Sequence, residues 1–160
     1  MSKIIWDTLY NKGLKIKLDI NKEDFQTYII LKEFNNKYNT NIEDIDIKEL
    51  NLSERKMGNE RLKDLVKIKF KELKELNISL KNISNINILE KVNFKELKKL
   101  NLSINQISDI NILEKVNFKE LKELKLYKNN ISDIKVLEKV KFDKRKITFG
   151  NKSKKKKRKF

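Results

Sequence analysis

The thirteen residues INILEKVNFKELK occur twice without change, at 86–98 and 110–122, 24 positions apart. Alignment on Phe70, Phe94 and Phe118 extends the repetition to three consecutive units of 24 residues; a fourth begins at Phe142 and breaks off. Self-similarity at a fixed period of this length signals a solenoid. A single unit cannot bury its own apolar face, so each coil must bury it against the next.

The apolar positions within a unit define the coil. In the second unit they are Leu97, Leu100, Leu102, Ile107, Ile110, Leu113, Val116 and Phe118. Leu100 and Leu102 alternate with Lys99, Asn101 and Ser103, which is the period of a short strand with one buried face. The spacing then opens to three through 107, 110, 113 and 116, which fits a helical or 3₁₀ segment returning along the other side. Ser108 and Asp109 stand where the first N–H groups of that segment need acceptors.

These units resemble the leucine-rich repeat family, whose pattern is L-x-x-L-x-L-x-x-N/C-x-L. Leu97, Leu100, Leu102, Asn105 and Ile107 match it, as do Leu121, Leu124, Leu126, Asn129 and Ile131. The unit before fits at Leu73, Leu76, Ile78 and Ile83 but has Lys81 at the Asn position. A divergent unit precedes it, with Ile47, Leu50 and Leu52 followed by Arg55 and Met57, and two extra residues before Phe70. The resemblance spans roughly 45–142, and the D-I-x-x-L tail is most similar to the short repeats of phosphatase regulators and internalins. It implies an α/β fold: a right-handed leucine-rich-repeat solenoid with a parallel concave β-sheet and short helical or 3₁₀ segments on the convex side. The amides of Asn105 and Asn129 are expected to form a ladder with the backbone of their own turn and the neighbouring coil. Lys81 and Arg55 cannot be buried unpaired, so looser turns with outward cations are expected in the first two coils.

Open solenoids need their ends covered. Residues 1–44 read as an α/β N-terminal cap, residues 45–150 as the repeats with a short closing strand, and residues 151–160 as a disordered basic tail. Within the cap, LKIKLDI (14–20) alternates as a strand, Gly13 ends a short helix carrying Ile5, Trp6 and Leu9, and Asn21 precedes a helix with Phe25, Tyr28, Leu31, Phe34 and Tyr38 on one face. That aromatic cluster fits a hydrophobic plug on the first coil, or a separate ligand site. At the other end, Ile147 and Phe149 read as an edge strand one residue out of register.

Composition narrows the function. The chain has no Cys and no His, which excludes thiol nucleophiles, disulfides, histidine bases and Cys/His zinc sites. Carboxylates recur in Glu-Lys contexts such as Glu90-Lys91 and Glu114-Lys115, a solvated pattern rather than paired acids in a cleft. No enzyme, metal site or cofactor is expected. No apolar run reaches membrane-spanning length, and an intracellular, cytoplasmic, monomeric protein is expected.

The function expected is non-catalytic docking of a protein or peptide on the concave strands, in one version as a regulator of an enzyme. Strand residues form columns across the coils: Glu49, Glu75, Lys99, Glu123; then Asn51, Asn77, Asn101, Lys125; then Ser53, Ser79, Ser103, Tyr127. The partner-binding candidates are Lys99, Asn101, Ser103, Glu123, Lys125, Tyr127 and Lys128, with the aromatic between cations in the last coil as the expected anchor. Leu80 and Ile104 either extend that patch or pack into the turn.

The alternative is a nucleic-acid-associated or nuclear protein. The net charge is +16, and the tail supplies seven basic residues, among them Lys154, Lys155, Lys156, Lys157, Arg158 and Lys159. KKKKRK (154–159) resembles a nuclear localisation signal, suits phosphates or an anionic membrane surface by charge alone, and is equally a solubilising tail.

Overall fold

A computed structural model describes residues 21–53, 58–80, 82–92, 94–143 and 146–149. Five strands lie in one parallel sheet in chain order: β1 (Glu49–Asn51), β2 (Glu75–Asn77), β3 (Lys99–Asn101), β4 (Glu123–Lys125) and β5 (Ile147–Thr148). Leu50, Leu76, Leu100 and Leu124 stand in register, each pointing into the core. Leu124 then pairs with Ile147, one residue short of the 24-residue step, so the closing strand is out of phase with the repeat as expected.

On the return side, coils two to four carry 3₁₀ segments η1 (Asn87–Lys91), η2 (Asn111–Glu114) and η3 (Lys135–Glu138). Each is entered through an acceptor one residue before its cap. Asn85, Asp109 and Asp133 each accept the N–H two residues ahead, at 2.8, 2.8 and 2.9 Å. Of the two residues expected to serve this purpose, Asp109 does so. The first coil differs. Its 26-residue step to β2 contains an α-helix, α2 (Gly58–Leu65), instead of a 3₁₀ turn. The two extra residues of the divergent unit are taken up there. Gly58 starts that helix at φ +65°, a conformation glycine adopts without steric cost.

The core is one continuous cluster from Leu31 and Phe34 to Ile147. Phe70, Phe94, Phe118 and Phe142 recur as a buried spine, and the rings of Phe70 and Phe94 lie 6.5 Å apart at their centroids. The three-residue spacing read from the sequence holds in full: Ile107, Ile110, Leu113 and Val116 are all buried.

The helix expected after Asn21 is α1 (Lys22–Tyr38), and Asn21 Oδ1 accepts the Asp24 N–H at 2.9 Å as its N-cap. Leu31 and Phe34 lie fully in the core, with Tyr28 and Tyr38 packed partly against it, so the inner part of the aromatic face is packing surface rather than a ligand site. The strand expected over 14–20 and the helix around Ile5, Trp6 and Leu9 lie outside the described residues, as do Arg55, Lys81 and the tail.

Asp64 on α2 joins the two helices. Its carboxylate accepts from Lys37 Nζ at 2.6 Å, Tyr38 Oη at 2.6 Å and Lys67 Nζ at 2.7 Å. Beside it the buried Arg61 guanidinium stacks on the rings of Tyr38 and Phe34, 4.9 and 5.6 Å from their centroids. Burial pushes the Asp64 carboxyl up, but the hydrogen bonds from Lys37, Lys67 and Tyr38 outweigh it and hold the group well below the usual carboxylate range. A depressed folded-state pKa contributes stability above the unfolded value of about 4, and that stability is lost as pH falls through the folded value. Asp64→Asn is therefore expected to cost about 1–2 kcal/mol at pH 7. The difference from the native chain should shrink steadily between about pH 5 and pH 2 in urea titrations.

The second, third and fourth coils each leave their strand through a left-handed residue: Leu80 (φ +60°), Ile104 (φ +55°) and Lys128 (φ +54°). The second coil, with Lys81 at the Asn position, has another in Asn82 (φ +52°). An L-residue held there costs roughly 1–2 kcal/mol relative to the right-handed region, and Asn tolerates it best after Gly. Leu80 is 55% exposed, so it recovers little of that cost through burial. Leu80→Asn is expected to stabilise the chain by about 0.5–1 kcal/mol, seen as a higher urea midpoint at unchanged slope.

Candidate functional site: the open face of the sheet

Residues 49, 51, 75, 77, 99, 101, 123 and 125 alternate with the buried leucines and so face away from the core. Together they line a shallow groove of about 220 Å³ across the first four strands. Of the candidates read from the sequence, Lys99, Asn101, Glu123 and Lys125 lie in it.

The charged column is cross-linked. Lys99 Nζ reaches Glu75 at 2.5 Å on the preceding strand, and Lys125 Nζ reaches Glu123 at 2.8 Å on its own strand. The Glu75 carboxylate raises the Lys99 pKa. The hydrogen bond from Lys125, opposed by burial, lowers that of Glu123, to which the charge of Lys146, just before β5, also contributes. Glu49 makes no ion pair among the described residues.

The asparagine column has a structural role that its repetition alone did not reveal. Asn51, Asn77 and Asn101 each accept, through Oδ1, the N–H of the residue two ahead, at 3.0, 3.1 and 3.0 Å. A backbone N–H can only donate, so it dictates which end of the amide is oxygen. The three NH₂ groups are left as donors with no partner among the described residues.

The serine column corrects the sequence reading. Ser103 was expected on the binding face, but it is fully buried, as is Ser79. The chain is already turning at this position, and the following left-handed residue folds the serine under the neighbouring coil, where Leu80 N–H bonds Ser103 O at 3.2 Å. Tyr127, the fourth member of the column, is half-buried and is not among the residues that line the groove, and Lys128 is exposed on the turn after it. Ile104 is half-buried, whereas Leu80 projects into solvent.

A second hollow of about 280 Å³ continues from the groove past β1, sharing Glu49, Leu50 and Asn51 and adding Glu43 with Ile42 and Ile47. Sequence reading missed it because part of its lining, Thr40, Asn41, Ile42 and Glu43, comes from the loop after α1, which lies outside the repeat.

No cluster of metal-ligating side chains occurs among the described residues, and no helix among them is long and apolar enough to cross a membrane. The described residues carry 23 basic and 20 acidic side chains. The positive excess of the chain therefore sits mainly at positions beyond the described fold, including seven charges in 151–160.

No protein-family model matches the chain, and no curated protein matches it. Among solved structures it is similar to an internalin from Listeria monocytogenes, with 24% sequence identity over 70% of this chain and a TM-score of 0.42. The match spans 36% of that internalin's length.

Proposed function

We propose that this chain is a non-catalytic interaction module that docks a protein or peptide segment on the open face of its sheet. The observation that carries this reading is the groove itself, whose floor is a register of strand side chains with three amide donors unpartnered among the described residues. Hydrogen-bonding groups left over on a preformed surface favour a partner that can satisfy them. The Glu75–Lys99 and Glu123–Lys125 pairs hold the long side chains in place beforehand and reduce the ordering cost of binding. Regulation by occupancy of a partner's surface is part of this proposal.

Binding should fall by about ten-fold or more in Lys125→Glu and Tyr127→Ala, and should survive deletion of residues 151–160. The measurement is the same protein partner titrated against all three variants at two salt concentrations. Binding of an RNA or duplex-DNA probe that disappears with the tail and falls steeply with salt, with no partner lost in Lys125→Glu or Tyr127→Ala, would favour the phosphate-binding alternative and overturn this reading.

A further inference from the structure

We infer that the open face accepts an extended peptide segment of bipolar charge, with a basic residue over Glu49 and a carboxylate toward Lys146, beside the Glu123–Lys125 pair. This inference rests on the docking proposal and gives the partner its chemistry.

Charge along the groove is sorted by coil. The register places Glu49, Glu75, Lys99 and Glu123 in one column across the first four strands. Lys146, the residue before β5, continues it, and its charge is felt by Glu123. Glu75 and Lys99 neutralise one another, as do Glu123 and Lys125. What remains is a carboxylate at the β1 end and an ammonium at the β5 end, each without an ion-pair partner among the described residues. Four strand spacings separate them, about 19 Å. At the β1 end the adjoining hollow is lined by Glu43 and Glu49 together with Ile42 and Ile47, and by no cation. Such a hollow fits a Lys or Arg side chain, with its aliphatic stem against the isoleucines and its charge at the carboxylates.

The donors determine the backbone conformation of the occupant. The NH₂ groups of Asn51, Asn77 and Asn101 can donate to acceptors on an occupant. A helix has already used its main-chain carbonyls internally, whereas an extended segment has them free. A polyproline-type segment rises about 3.1 Å per residue with three residues per turn. Three residues therefore cover about 9.3 Å, close to the roughly 9.6 Å of two strand spacings. Carbonyls i and i+3 then fall over Asn51 and Asn101, and the basic and acidic residues lie roughly six positions apart.

The test is a phage-displayed library of random peptides, roughly twelve residues long so that they overspan the groove, selected on the full chain. Peptides are expected with Lys or Arg about six positions from Asp or Glu. A selected peptide should bind about ten-fold more weakly to Glu49→Lys, more modestly so to Glu49→Gln, and regain affinity for Glu49→Lys when its own basic residue is made acidic. Selected peptides that are lost on Lys125→Glu but show no bipolar pattern would overturn this inference while leaving the docking proposal standing. Uniformly basic peptides like 151–160 would also overturn it, by assigning the groove to the chain's own tail. Peptides indifferent to both Glu49 and Lys125 would overturn the inference and the docking proposal together.

Discussion

Leu100→Ala is expected to destabilise the chain by about 3–4 kcal/mol, the largest loss from any single truncation in the strands. Leu100 is 1% exposed and lies on the central strand, in register with Leu76 on one side and Leu124 on the other. Removing its side chain forfeits the transfer energy of the buried carbons and leaves a cavity that two flanking coils cannot both collapse to fill. The same truncation at Leu50 should cost less, about 2 kcal/mol, because Leu50 has a paired strand on only one side among the described residues and is already slightly exposed. In a solenoid each coil is held chiefly by its nearest neighbours, so a defect at the centre weakens two interfaces and one at the end weakens one. Urea titrations followed by circular dichroism distinguish the cases. If the chain unfolds as a unit, the midpoint shifts at constant slope; if the central defect uncouples the two halves, the slope falls as well. A Leu100→Ala cost under about 1 kcal/mol would contradict burial between adjacent coils.

The parts of the fold legible in the sequence are those fixed by period. Leucines recurring every 24 residues could be buried only by stacking, and the strand register follows directly from their alignment. The Asn ladder was legible because a polar residue at a fixed place in an apolar unit needs partners. The missing elements lie where the period lapses. Helix α2 occupies the divergent first coil, and nothing in GNERLKDL distinguishes it from a longer 3₁₀ turn except its two extra residues. Asn59 on that helix bonds Ser84 and Asn85 of the next coil, a bridge invisible to an alignment because it has no counterpart in later units. Ser103 was misplaced because strict alternation was extended two residues beyond the strand, into a turn whose left-handed Ile104 reverses the chain. Ile104 carried no warning, since a β-branched residue is among the poorest choices for that conformation. The open face of the sheet was legible as a set of columns. Its polarity was not, because the unpaired charges are defined only once Glu75 is seen to hold Lys99 and Glu123 to hold Lys125.

Asn105→Ala should cost about 3 kcal/mol, nearly as much as the loss of a core leucine, although it removes only a small polar group. Asn105 Nδ2 donates to Ile78 O at 3.1 Å in the preceding coil and to Leu102 O at 3.0 Å in its own. Its Oδ1 accepts the Ile83 N–H at 3.0 Å. Asn129 repeats the arrangement one coil later, bonding Leu102 O at 2.9 Å, Leu126 O at 3.0 Å and the Ile107 N–H at 3.0 Å. Leu102 O therefore has two donors and stays satisfied when either asparagine is removed. Alanine at 105 instead strands the Ile83 N–H and the Ile78 carbonyl, both in fully buried residues, at about 1–3 kcal/mol each. Alanine at 129 should cost less, about 2 kcal/mol, because that side chain is only partly buried and water can replace some of its bonds. Asn105→Asp separates the two halves of the interaction. It keeps an acceptor for Ile83 but turns a carboxylate oxygen toward the carbonyls of Ile78 and Leu102. Burial and that repulsion would raise the new carboxyl's folded-state pKa above the unfolded value of about 4. A group whose folded pKa is raised favours the folded chain when protonated, so Asn105→Asp should regain stability relative to the native chain as pH is lowered from 7 toward 4, whereas Asn105→Ala should show no such recovery. Parallel urea titrations at several pH values would measure this, and identical pH profiles for the two variants would place Asn105 outside the buried ladder.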